Sequence, residues 1–186
     1  MMYVLEFDGL FRKAHGRNHT GFMGFGWLLF QDNILVAEGY GVAARGNDAT
    51  SMVAEYLALV DGLEMLLDMG ITDEPVVVLG DARVIIDQMK GISHVNSLRI
   101  QPLYHKAKQL SEQLWITNWQ WIRRKQNKAA DALSRQAMRE LRLDQEGFAE
   151  ALDTIEKDRE VKHNHLHILA GMQVVHRHAA QPAYAI

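Results

Sequence analysis

The apolar positions along this chain recur first with the two-residue period of strands and then with the 3.6-residue period of a helix. "MYVLEFDG", residues 2 to 9, reads as a short strand ending at an Asp-Gly turn signal. "GFGWLLF" and "ILVAEGYGVA" are partly alternating apolar runs separated by "QDN", which predicts a hairpin and a three-strand meander. From Thr50 to Met69 the period changes, because Val53, Tyr56, Leu57, Val60, Leu63 and Leu67 repeat at helical spacing. Thr50 or Ser51 is the expected cap and Gly70 the expected stop. "PVVVLGD" is continuously apolar, as in a strand covered on both faces, and it ends at Asp81. "ARVIIDQMKG" predicts a second helix, residues 98–114 a third, "LWITNWQWI" a strand, and "NKAADALSRQAMREL" a last helix with the stripe Ala130, Leu133, Ala137 and Leu141. The order βββαβααβα predicts an α/β fold in which helices pack on a mixed five-stranded sheet.

Length and composition fit that picture. A chain of 186 residues, 48% hydrophobic and 23% charged, can bury one sizeable core. We expect the domain to occupy residues 1–142, with residues 143–186 as a C-terminal helix and a His-rich extension. "MMYVLEFDG" lacks the basic start and apolar run of a signal peptide, and no stretch approaches the roughly 18 apolar residues of a membrane span. A soluble, cytoplasmic protein without membrane partners is the expectation. The absence of cysteine excludes disulfides, thiolate catalysis and cysteine-ligated zinc.

Charge changes the picture more. The net charge of −3 conceals a segregation: residues 1–82 carry 4 Lys/Arg against 12 Asp/Glu, residues 83–142 carry 12 against 4, and residues 143–186 carry 4 against 7. The basic middle is either a solvated face or a polyanion site. "WIRRKQNKAAD" concentrates the question, because Arg123, Arg124, Lys125 and Lys128 lead directly to the carboxylate of Asp131.

Asp8 and Asp81 end predicted strands, Glu55 lies near the start of a helix, and Asp131 falls in the first turn of the last one. Each acid alone also fits a cap or a surface position. Element ends, however, are where side chains from separate elements converge. Two carboxylates about 4 Å apart repel by about 4 kcal/mol at an effective dielectric near 20, so four gathered in one cleft need cations. Two Mg²⁺ ions balance four carboxylates, and oxygen-only ligands suit that ion. Such a centre fits phosphodiester cleavage, with the neighbouring bases holding the nucleic-acid backbone.

Four segments in order, "FDGL" at 7–10, "TSMVAEYLAL" at 50–59, "GDARVIIDQMKG" at 80–91 and "NKAADALS" at 127–134, resemble type 1 ribonuclease H across about residues 1–142. The resemblance implies a ribonuclease H-like fold and a Mg²⁺-dependent (or Mn²⁺-dependent) endonuclease that hydrolyses the RNA strand of an RNA/DNA hybrid by a two-metal mechanism. Asp8, Glu55, Asp81 and Asp131 match the family's acidic tetrad. Asp8 would bridge the metals, Asp131 would complete the site of the attacking water, and Glu55 and Asp81 would complete the second site. Thr50 falls at a contact to the DNA-strand phosphate, with Ser51 beside it, and Gly9 falls where backbone approaches the RNA ribose. The chain departs from the family pattern in three places. Ser51 and Met52 stand where Asn-Asn is frequent, Ala82 follows the third acid in place of serine, and the loop before Asp131 has no histidine between Trp115 and Asp131, where Arg123 or Arg124 could stand in. The short link between the second and third helices implies the compact branch without a basic protrusion, and no separate hybrid-binding domain is expected before it.

Other readings stay open at this point: a non-cleaving nucleic-acid-binding module of the same fold, or a nuclease directed to DNA structures. Trp115, Trp119 and Trp121 alternate on one strand face, where they either pack in the core or stack on bases. His163, His165 and His167 would share a face of a strand, as loosely ordered surface histidines or as a zinc site. "EGFAEALDTIEKDRE" is a helix that either packs on the domain or mediates association.

Overall fold

The computed structural model describes residues 1–14, 18–160 and 173–180. Strands β1 (Tyr3–Lys13), β2 (Gly21–Gln31) and β3 (Ile34–Arg45) form the antiparallel meander. Asp32 and Asn33 turn the β2–β3 hairpin with φ of 48° and 69°, the left-handed pair that a two-residue hairpin loop requires. Helix α1 (Ser51–Asp68) follows, then β4 (Val76–Gly80), α2 (Arg83–Met89), α3 (Gln101–Ser111), β5 (Ile116–Trp121), α4 (Lys128–Leu143), α5 (Gln145–Glu160) and β6 (Gln173–Ala180). The sheet order is β5-β4-β1-β2-β3-β6, with β1, β4 and β5 mutually parallel and the remaining pairs antiparallel.

The mixed α/β architecture is as expected, with corrections: the first strand does not stop at Asp8-Gly9 but runs on to Lys13, because its pairing with β2 continues past the glycine, and the sheet has six strands, not five. The sixth comes from the C-terminal segment and pairs with β3. Its Arg177 forms an ion pair with Asp61 of α1, whose other oxygen accepts the Trp27 indole N–H at 2.6 Å. Alternation in β6 is masked in the sequence by polar residues, so strand and loosely ordered tail look alike there. The α3 helix is also shorter than the 98–114 expected, because Pro102 sits in its first turn and fixes the point of entry.

Both faces of the sheet are covered, which explains why β2 is buried along nearly its whole length. Its Met23, Phe25, Trp27 and Leu29 join the core under α1, α2 and α3, whereas Phe22 and Leu28 join a second core under α4 and α5. Thr50 caps α1 by accepting the Val53 N–H at 3.1 Å, and Gly70 ends it at φ 74°, with the Ile71 N–H reaching back to the Leu66 carbonyl. The α5 helix packs on the domain through Ala151 and Ile155, and its Asp158 pairs at 3.2 Å with buried Arg45. Among the described residues no helix is long and apolar enough to cross a membrane. His163, His165 and His167 lie outside the described residues.

Candidate active site

Parallel strands of unequal length create the site. The last residue of β4, Gly80, pairs with Phe7 in the middle of β1, so β1 continues past the end of β4. Asp8 is the next residue of β1 and Asp81 the first after β4, which makes them neighbours in the notch. Glu55 enters from α1. Gly9 permits this approach, because a Cβ there would lie 2.1 Å from the Glu55 backbone nitrogen. Oxygen atoms of Asp8, Glu55 and Asp81 all lie within 4.8 Å of one another.

The cost of this crowding is visible in the proton affinities. Burial pushes the Asp8 carboxyl up to about 6; a hydrogen bond from Ser134 works against it, and the charges of Asp81 and Asp131 add to it. Burial likewise raises Glu55 well above the ordinary carboxylate range, reinforced by Asp8 and Asp81 and opposed by the Gly9 amide. One Glu55 oxygen, Oε2, is shielded from solvent without a hydrogen-bond partner. An all-oxygen donor set with an unsatisfied buried oxygen fits a hard divalent cation such as Mg²⁺.

Asp131 stands apart from the trio. It lies in the first turn of α4, as the sequence predicts, but Arg135 holds it at 2.6 Å and Arg124 at 3.0 Å. These hydrogen bonds keep its carboxyl below the usual range. Thus three members of the expected tetrad converge and the fourth is held in a clamp of arginines. Of Arg123 and Arg124, Arg124 is the one that pairs with Asp131. Arg123, Lys125 and Lys128 are exposed and form no ion pair among the described residues. Thr50 and Ser51 lie at the N-terminus of α1, about one turn before Glu55.

Residues 6–137 match the reverse transcriptase-like protein family. The chain belongs to that family. A bifunctional protein of Mycobacterium tuberculosis is 31% identical over 140 residues, covering 74% of this chain and 36% of the relative. The solved N-terminal RNase H domain of that organism's protein superposes with a TM-score of 0.63 at 32% identity, covering 74% of this chain and 93% of the domain. RNase H1 of Halobacterium salinarum gives a TM-score of 0.65 at 28% identity, over 75% of this chain and 99% of that structure. The chain therefore spans about a third of the length of the mycobacterial curated relatives it matches, and its fold is that of type 1 RNase H.

Within this RNase H fold, four positioning residues are not among those expected to act at the site. Ser134 donates to Asp8 Oδ2 at 2.7 Å. Fully buried Asn127 donates to the Phe7 carbonyl at 2.8 Å, tying the start of α4 to the strand that carries Asp8. Arg135 holds Asp131, and the Trp121 indole N–H donates to the Asp81 carbonyl at 3.0 Å. The i+3 and i+4 spacing of Ser134 and Arg135 from Asp131 is the available sequence signal. The three tryptophans do not act alike: Trp119 packs partly on the core, while Trp115 and Trp121 are exposed, Trp121 lying under Arg83 at 5.5 Å.

Proposed function

We propose that this chain is a Mg²⁺-dependent endonuclease that hydrolyses the RNA strand of RNA/DNA hybrids, leaving 5′-phosphate and 3′-hydroxyl ends, with Mn²⁺ able to replace Mg²⁺. The observation that carries this reading is the convergence of Asp8, Glu55 and Asp81 within 4.8 Å, with one Glu55 oxygen buried and unpartnered. A trio of carboxylates contributes nothing to a surface that only binds phosphate, since it repels that charge. The names of the mycobacterial RNase H domain and the halobacterial RNase H1 support the choice of substrate.

Asp8, Glu55 and Asp81, joined by Asp131, would hold two divalent ions, which supply Lewis-acid activation of water and neutralise the leaving oxygen when bound. The chain's own contribution is preorganisation. Ser134 and Asn127 fix Asp8 and its strand, Gly9 admits Glu55, and Trp121 holds the backbone at Asp81. Gly9, Thr50 and Ser51 would meet the duplex on the α1 side, and Arg123, Arg124, Lys125 and Lys128 would meet its phosphates before α4.

End-labelled RNA/DNA, RNA/RNA and DNA/DNA duplexes of one sequence, incubated with Mg²⁺, test the proposal. Products from the RNA strand of the hybrid, lost on chelation and in Asp81→Asn, are expected. Hybrid binding without product would leave a non-cleaving module, and products from DNA/DNA alone would make it a DNA nuclease.

A further inference from the structure

Helix α4 carries Arg135, Arg139 and Arg142 at i, i+4 and i+7, which places the three on one stripe. Arg12, near the end of β1, faces that stripe. The four exposed arginines line an open groove of about 390 Å³, with Leu10 and Met138 also lining it and Asp131 beside Arg135. Arg135 is engaged with Asp131, but Arg12, Arg139 and Arg142 form no ion pair with a described residue. Glu140, the acid within the same stretch, is directed to Tyr40 at 3.0 Å and to Gln136 at 2.8 Å. It does not neutralise the stripe.

Like charges at i,i+4 and i,i+3 destabilise a helix, so this arrangement is unfavourable until an anion meets it. Seven residues of helix, from Arg135 to Arg142, rise about 10 Å, which matches about three phosphates of one strand at roughly 3.4 Å each along a duplex axis. The planar guanidinium pairs with phosphate through two parallel hydrogen bonds, which a lysine cannot do.

We propose that this groove binds the phosphate backbone of the nucleic-acid strand running past the carboxylates on the Asp131 side. The identity of the polymer rests on the proposed function; the placement of the anion track rests on the groove. The track lies beyond Arg123, Arg124, Lys125 and Lys128, and extends the contact along α4.

The test is the full chain with Arg12→Gln, Arg139→Gln and Arg142→Gln together, leaving Arg135 in place because it touches Asp131. All three positions are exposed, and parent-like circular dichroism and melting verify the fold. Hybrid binding without metal ion is followed by fluorescence anisotropy across a NaCl series. The expected result is at least about a tenfold rise in Kd and a salt slope shallower by about two, with KM raised and kcat at saturating hybrid retained. Parent-like Kd and slope overturn the proposal, as does loss of binding to anionic vesicles with hybrid binding intact. If the parent cleaves no duplex but the triple variant loses hybrid affinity and slope, the proposed function fails and the track stands. Cleavage by a parent whose variant binds hybrids equally well sinks the track alone.

Discussion

The hydroxyl of Ser134 on α4 donates to Oδ2 of Asp8 on β1 across 126 positions of sequence, at 2.7 Å. Helix and strand come this close because Gly26 stands opposite Asp8 in β2, and a Cβ there would lie 2.8 Å from the Ser134 backbone nitrogen. The bond favours the ionised form of a carboxyl that burial otherwise pushes up. Ser134→Ala should therefore let Asp8 protonate at higher pH and weaken divalent-ion binding. A charge-assisted hydrogen bond contributes about 1.5–3 kcal/mol, so cleavage near pH 6 should fall by about tenfold or more, with a smaller loss at pH 8. The measurement is the pH–rate profile at subsaturating Mg²⁺, and an acid limb that does not move would show that the hydroxyl leaves Asp8 untuned.

Two acids of the expected tetrad should respond oppositely to neutralisation. Asp8→Asn relieves a buried, repelled charge, and without metal ion at pH 7 it should stabilise the protein by up to about 3 kcal/mol. Asp131→Asn instead strips two arginines of their partner, on side chains 46% and 69% exposed, and should cost at most about 1 kcal/mol. Both substitutions should remove most cleavage. Chemical denaturation of the metal-free variants checks the signs; stabilisation by Asp131→Asn would contradict the clamp.

How far the site is legible from sequence depends on which contacts are local. Glu55 and Asp81 can be found because each sits near an element end marked by its own signals, the Thr50 cap and the apolar run before Gly80, whereas the Asp-Gly signal points to Asp8 for the wrong reason, since β1 runs through it to Lys13. The clamp on Asp131 is local as well, at i+4, but spacing alone does not tell an ion pair from a metal ligand. Asn127 is harder to find: its partner is a backbone carbonyl 120 positions away, and backbone acceptors leave no trace in residue identity. The sixth strand is hidden for a related reason. Its place is set by pairing to β3 and by Arg177 meeting Asp61 in another layer, neither of which alters the period of its own segment.

The metal-free protein should lose stability as pH rises through the mildly acidic range. Asp8 goes from an unfolded value near 3.8 to about 6 in the folded chain, so between those values the folded state holds a proton that the unfolded state has released. Stability then falls with rising pH, by up to about 3 kcal/mol from Asp8, and Glu55 adds to the loss at higher pH because it too is raised. Mg²⁺ should reverse the trend above pH 6, since it binds the ionised carboxylates. Melting temperatures from pH 4 to 8, with and without Mg²⁺, test both halves. A metal-free protein that grows more stable across that window would place these carboxyls in a different environment.

The C-terminal elements should matter for stability without supplying the chemistry. Asp158 of α5 pairs with Arg45, which is 3% exposed, and also accepts the Gly46 backbone N–H at 2.7 Å. Asp158→Ala removes this pair together with the hydrogen bonds from the Gly46 and Asn47 backbone N–H groups, and should cost about 2–3 kcal/mol, since hydrogen bonds to charged groups contribute about 1.5–3 kcal/mol. Cutting after Leu143 removes this pair together with Ala151, Ile155 and the strand on β3, and should lower stability further. Asp8, Glu55 and Asp81, by contrast, are held by β1, α1, β4 and α4, all of which precede the cut. Under conditions where the truncated chain remains folded, Mg²⁺-dependent cleavage of hybrids should stay within about tenfold of the parent, an allowance of about 1.4 kcal/mol for lost support. Urea denaturation of Asp158→Ala and initial rates of the truncated chain measure the two effects separately. Parent-like stability in Asp158→Ala would remove the structural role, and a folded truncation without cleavage would show that the C-terminal segment helps build the substrate groove.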